Sequence, residues 1–187
     1  MPPTPPSLQR KPFWAPLGLA AASALGAALL IGLLAWLLVT AKSTTVIVVR
    51  EAEMASSGAT DPVLSPAGQS RAELLARMFG DARLKDHVDA IYVSPTPGTQ
   101  ATAQPLAARL GTIPVVVSQD DARALARRVL RGHRGGRILV IARGDTARDL
   151  AAALSGVADI PPVTDFGTLY IVTVPRIGHA NLLSVEY

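Results

Sequence analysis

The chain contains no cysteine, which excludes a disulfide framework. Aromatic residues make up only 4% and no basic run is interleaved with them, so the composition argues against a nucleic-acid-binding module. Histidine is scarce, with only His87, His133 and His179. The net charge is a modest +4, and no internal repeat marks a solenoid. What is plentiful is apolar character: 49% of the 187 residues are hydrophobic, and the excess sits in one place.

That place is LGLAAASALGAALLIGLLAWLLVT, residues 17–40, which carries no charge. As a helix rising ~1.5 Å per residue it would extend roughly 36 Å, a little more than the ~30 Å hydrocarbon core of a bilayer. A helix satisfies its own backbone polar groups in lipid, which a lone extended strand cannot do. Trp14 and Trp36 near its ends suit an interfacial position. Val39-Thr40-Ala41 offers small residues for cleavage, but the run exceeds the ~7–15 residues of a signal-peptide core. A retained signal anchor is therefore expected. Arg10 and Lys11 precede it and only Lys42 closely follows, which places the N-terminus inside and the rest in a periplasmic or extracytoplasmic compartment of a single-pass inner-membrane protein. Gly18, Ala22 and Gly26 recur at the four-residue spacing that permits close helix pairing.

Three regions follow from this reading. Residues 1–12 are proline-rich and expected to be disordered, 13–41 form the anchor, and 44–187 form one folded domain after a very short tether. Within the last region two kinds of segment alternate, as in an α/β domain. Strands are expected at TTVIVV (44–49), AIYVS (90–94), IPVVVS (113–118), RILVIA (137–142), LYIVTV (169–174) and NLLSVEY (181–187). Their short β-branched runs suit strands buried on both faces. Helices are expected between them. The first starts at Ser65 as N-cap with Pro66 behind it, presents Leu74, Leu75, Met78 and Phe79 on one face, and stops at Gly80. Others read as TQATAQPLAARLG, DDARALARRVLRG and DTARDLAAALSG, and PRIGHA reads as a hairpin turn between the last two strands. The basic stretch ARRVLRGHRGGR falls at a helix end, where cations complement the helix dipole; phospholipid head groups are a second partner for it.

Open α/β sheets place function where strand carboxyl ends pass into helices. Three such junctions stand out: residues 50–55, 94–102 and 142–146. VVREAE resembles the opening Arg-His-Gly/Ala-Glu motif of the histidine phosphatase superfamily, the phosphoglycerate-mutase-like fold. DPVLSPAGQSRAELLARMF is similar to the segment that follows it there, IYVSPTPGTQATAQPLAARLG to the Ser-Pro-x-x-Arg segment, and RILVIARGDT to the strand ending in the second histidine. The resemblance implies a three-layer α/β sheet flanked by helices over nearly all of 44–187.

In that family a histidine attacks the phosphoryl group, two arginines and a second histidine neutralise its charge, and a carboxylic acid protonates the leaving group. Carried across by position, Arg50 retains the first arginine and Glu51 stands where the nucleophile would be. Gly98 stands at the second arginine and Arg143 at the second histidine. Glu53 matches the closing acidic residue, and Asp120 or Asp121 lies where a leaving-group acid would be. The three histidines of this chain lie away from the strand carboxyl ends and read as solvated loop residues. Two unit charges opposed at 4 Å cost about 4 kcal/mol at an effective dielectric of ~20, which weighs against Glu51 as a nucleophile on a phosphate dianion. An ion pair between Glu51 and Arg143, filling the old phosphate site, is expected instead. No metal or cofactor is implied.

The expected function is a membrane-anchored, catalytically inactive member of this fold, serving as a binding or scaffolding module for a protein partner, phosphate or another anion. The alternative is a phosphatase with weak or altered phosphomonoester hydrolysis, in which Arg50 and Arg143 hold phosphate.

Overall fold

The computed structural model describes residues 15–39, 42–55, 63–81, 87–160 and 166–187. The chain divides into two units, Met1–Ala41 and Lys42–Tyr187. In the first, α1 (Ala15–Val39) is a 25-residue helix without a charged residue. Its side chains are described over 21–36 only, a stretch that measures roughly 24 Å as helix. Among the described residues no helix is long and apolar enough to cross a membrane. The anchor expected over 13–41 extends beyond those residues at both ends and is neither established nor excluded by them. Trp14, the proline-rich 1–12 and the candidate cleavage site around Thr40 and Ala41 lie outside the described residues.

The second unit is a six-stranded sheet between two helical layers. Its elements run β1 (Thr44–Arg50), α2 (Pro66–Phe79), β2 (Ala90–Val93), α3 (Pro97–Leu110), β3 (Val115–Val116), α4 (Ala122–Gly132), β4 (Arg137–Ala142), α5 (Gly144–Ser155), β5 (Thr168–Val174) and β6 (Asn181–Glu186). The strand order is β3-β2-β4-β1-β5-β6. The first four strands are parallel, whereas β5 runs antiparallel to β1 and β6 antiparallel to β5. The expected three-layer α/β sheet flanked by helices is what forms, and its strands are of mixed direction.

Period-two alternation in the central strands builds both halves of the core. Val46, Val48, Ile138, Val140, Tyr92 and Tyr170 face α4 and α5, where they meet Leu125, Val129, Leu150 and Leu154. Ile47, Val49, Ile91, Val93, Leu139 and Ile141 face α2 and α3, where they meet Leu75, Ala76, Leu106 and Ala107. Burial on both faces explains why β1, β2 and β4 read as continuous apolar runs. It does not extend to the edges. β3 is only two residues long and half-exposed, and β6 is mostly exposed, with only Leu182 and Val185 half-buried, as suits an edge strand.

Helix α2 begins as the sequence predicts: Ser65 Oγ accepts from the Gly68 amide at 3.0 Å, and Pro66 opens the first turn. Its buried stripe differs from expectation: Leu75 and Ala76 face the sheet and Ala72 packs on Ala52 and Leu64, while Leu74 and Phe79 are half-buried and Met78 is left 43% exposed.

Candidate functional site

The site is set by register. Arg50 pairs with Ala142 across β1 and β4, and Val93 pairs with Ile141 across β2 and β4. The three junctions read from the sequence therefore open side by side at the carboxyl edge of the parallel strands, as a doubly wound sheet requires. Beyond β1 the ladder continues by one bond, with the Glu51 amide donating to Ala142 O at 2.8 Å. The next amide, Ala52, donates to Thr102 Oγ1 at 3.0 Å, and that hydroxyl donates to Gly98 O at 2.7 Å. Thr102 is buried, so its one hydroxyl fastens the β1 turn to the first turn of α3.

Glu51 and Gly98 are brought together. A Cβ on Gly98 would stand 2.7 Å from Glu51 Oε2 and 3.2 Å from Met54 Sδ. The carboxylate thus occupies the room that a side chain at 98 would need. It lies beside the first turn of α3, where unpaired backbone amides favour negative charge. Thr96, the N-cap of α3, donates its hydroxyl to Glu51 Oε2 at 3.4 Å. Behind it Ser94, Thr96 and Thr99 form a hydroxyl cluster, with Ser94 Oγ 2.7 Å from Thr96 Oγ1 and 2.9 Å from Thr99 Oγ1.

Arg50 takes the opposite side of β1. Its guanidinium carbon lies 4.0 Å from the centroid of the Phe166 ring, a cation–π contact. On its other side, a Cβ on Gly144 would stand 3.2 Å from Arg50 Nε. Arg50 is thus held between an aromatic face and the backbone at the start of α5. Glu53 is paired with Arg71 from α2 at 3.0 Å, while its second carboxylate oxygen is buried without a hydrogen bond. Tyr187 lies beside this pair; burial pushes its phenol up to about 12, opposed by Arg71 and reinforced by Glu53.

Several expectations change here. No ion pair joins Glu51 to Arg143 among the described residues; the pair that forms is Arg71–Glu53. Arg143 is the exposed N-cap position of α5 and makes no side-chain cap bond, so hydration competes with pairing, while the α3 terminus and Thr96 draw Glu51 the other way. Asp121 is exposed and accepts from the Ala124 amide at 2.9 Å as the N-cap of α4. Asp120, also exposed, accepts from Ser118 Oγ. Both act locally as turn and cap residues. Of the histidines, His133 is not a solvated loop residue: Nε2 lies 3.0 Å from the Tyr92 hydroxyl and the rings meet edge to face. His87 lies 3.6 Å from Asp89 Oδ1 before β2, and His179 is exposed in the β5–β6 turn. All three stand at the amino end of the parallel strands, opposite the site. Among the described residues no cluster of His, Asp and Glu is arranged to hold a metal ion.

Sequence reasoning missed Phe166, Arg71 and the Ser94–Thr96–Thr99 hydroxyls. The hydroxyls were legible as Ser/Thr spaced around a helix start, whereas Phe166 reaches Arg50 only through the tertiary fold.

This arrangement is that of a phosphoglycerate-mutase-like α/β domain, with the candidate site at the carboxyl edge of its parallel strands. Residues 46–122 match the family model of the histidine phosphatase superfamily, branch 1, and the resemblance read from the sequence holds. Among solved structures, the protein histidine phosphatase SixA complexed with tungstate superposes with a TM-score of 0.62 at 17% identity, over 76% of this chain and 96% of that one. A mycobacterial glucosyl-3-phosphoglycerate phosphatase gives 0.56 at 15% identity, over 75% and 97%. A phosphoserine phosphatase from Entamoeba histolytica, bound to phosphoserine, gives 0.56 at 15%, over 76% and 96%. At these identities the likeness is one of fold. No curated protein matches the chain in sequence.

Proposed function

We propose that residues 44–187 form a phosphatase-fold domain directed at phosphorylated ligands, with phosphomonoester hydrolysis that is weak or altered. The observation that carries this is the placement of Glu51. Its carboxylate lies against Gly98 and the α3 N-terminus, at the carboxyl edge of the strands, with Arg50 on the opposite side of β1 between Phe166 and Gly144. The frame of a phosphate pocket is retained, but an internal anion stands in it and no histidine is near. Like charge opposes entry of a phosphate, and removing that charge favours it.

A second reading, a non-catalytic binding or scaffolding module, is favoured by the same absence of histidine from the strand-end residues. The two are separated by assaying the purified full chain on an aryl phosphate. Slow turnover that disappears in Arg50→Ala supports the altered phosphatase; no turnover, with retained binding of vanadate or a phosphopeptide, supports the binding module. An acid-labile phosphohistidine formed during turnover would sink both.

Attachment to a membrane through residues 15–39 belongs to the same proposal. Its support is the uncharged 25-residue helix, along which Leu25, Leu29, Leu30, Ile31, Leu33 and Leu34 stand 53–68% exposed. Resistance of the chain to alkaline carbonate extraction tests it, and release into the soluble fraction would refute it.

A further inference from the structure

The amino edge of the parallel strands, opposite the candidate site, gathers a basic and apolar surface that neither reading uses. Topology puts five segments there. The chain enters β1 through exposed Lys42, and the α4–β4 turn packs beside it, with the Gly135 amide donating to Thr44 Oγ1 at 2.9 Å. That turn and the end of α4 carry exposed Arg131 and Arg134. Because Thr44 pairs with Val174, the antiparallel β5–β6 turn comes back to the same edge, bearing exposed Arg176 and, at its tip, Ile177 at 73% exposure. Tyr92 pairs with Val115, so Ile113, two residues earlier and 88% exposed, lies level with the start of β2. Among the described residues, the acidic groups facing this edge are few. Asp89 is engaged by the Arg137 amide at 2.7 Å and by His87, while Asp81 and Asp159 lie in the segments that follow α2 and α5.

We propose that this edge is a docking face for an anionic lipid bilayer, with Lys42, Arg131, Arg134 and Arg176 on the head groups and Ile177 and Ile113 entering the interface. Scattered surface isoleucines need no explanation, but two largely exposed ones in loops of the same edge as four exposed cations, one of them next to Arg176, have the composition of a peripheral membrane surface. The occupant is a bilayer rather than a folded protein because the apolar groups are isolated tips instead of a continuous patch able to form an interface core. It is a bilayer rather than a nucleic acid because, among the described residues, no exposed aromatic side chain stands with the cations to stack on bases. Docked this way, the strand-end site points away from the lipid, into the aqueous phase. The inference concerns the Lys42–Tyr187 unit alone and holds whether or not α1 spans a membrane.

The absence of native cysteine permits a clean test in the full chain. An environment-sensitive fluorophore is attached in Ile177→Cys and, separately, in Ala124→Cys, an exposed position at the opposite edge. Vesicles of phosphatidylcholine with roughly one-third phosphatidylglycerol should blue-shift the label at 177 and leave the label at 124 unchanged. The shift should vanish in pure phosphatidylcholine and fade once salt shortens the screening length to a few ångströms. Each arginine near the surface is worth about fivefold in affinity, so Arg131→Glu, Arg134→Glu and Arg176→Glu together should abolish the shift, weakening docking at least roughly a hundredfold. All three are exposed, and an unchanged circular-dichroism melt confirms folding of the triple variant. Vesicle flotation, read in parallel, reports attachment through α1 separately. The proposal is overturned by no shift at 177 with anionic vesicles, an equal shift with neutral ones, a comparable shift at 124, or a response to an RNA oligonucleotide that exceeds the response to lipid.

Discussion

Replacing Glu51 with glutamine should strengthen oxyanion binding at the strand-end site. The substitution keeps the shape of the side chain and its hydrogen bond from Thr96 while removing one negative charge beside Gly98. A phosphate or vanadate oxygen entering this edge comes within ~4 Å of the carboxylate, where opposed unit charges cost about 4 kcal/mol at an effective dielectric of ~20. Glu51 is only half-buried, so water and salt reduce this to about 1–2 kcal/mol, a gain of roughly five- to thirtyfold in affinity. Isothermal titration with vanadate measures it directly. A thermal-shift series gives the same quantity, since a ligand that prefers the folded state stabilises it, and each kcal/mol moves the midpoint by about 2–8 °C in a domain of this size. Adding Arg50→Ala should cancel the gain, because that guanidinium is the nearest fixed cation on β1. Vanadate affinity equal to or below wild type in Glu51→Gln would refute the reasoning, for the carboxylate would then not be competing for the anion's place.

Further perturbations test the supporting shell. Thr102→Val strips the Ala52 amide of its acceptor in a buried setting and should cost about 1–3 kcal/mol in chemical denaturation, whereas Thr102→Ser should recover most of it. Arg71→Ala leaves a largely buried Glu53 without its cation and should destabilise the domain by about 1–2 kcal/mol; a double-mutant cycle with Glu53→Gln should show coupling, and additive effects would contradict the pairing. Tyr187 titrates near 12 in the folded chain against 10 ordinarily, so its contribution to stability is complete below pH 10 and is lost as pH rises from there towards 12. Tyr187→Phe should flatten that alkaline decline, and a spectrophotometric titration with an ordinary phenol midpoint would contradict the burial. Leu150→Ala, at a position with no exposure between α5 and the sheet, should cost about 2–5 kcal/mol.

The elements legible in the sequence are those whose signals were local. Ser65-Pro66 marks the start of α2, and RILVIA marks β4 to the residue, because caps and β-branched runs act over a few positions. Strand β3 shrank from six expected residues to two, since nothing in IPVVVS reveals that it would lie on an edge with partners on one side only. At the site, the positions of Arg50, Glu51, Gly98 and Arg143 followed from the resemblance to the histidine phosphatase motifs, and register brings the three junctions side by side. The partners of those side chains did not follow. Charge complementarity suggested Glu51 with Arg143, but the α3 terminus and Thr96 compete for the carboxylate, and water competes for an exposed arginine. The stacking of Arg50 on Phe166 links residues 116 positions apart in sequence, a contact that no local pattern encodes.

The most direct test of the account is the hydrolysis of an aryl phosphate by the full wild-type chain, followed by acid and hydroxylamine treatment of the protein. With the Glu51 carboxylate beside Gly98 at the strand-end site and every histidine at the opposite edge, turnover should be slow or absent and no acid-labile phosphohistidine should form. Rapid turnover accompanied by phosphorylation of His87, His133 or His179 would contradict it.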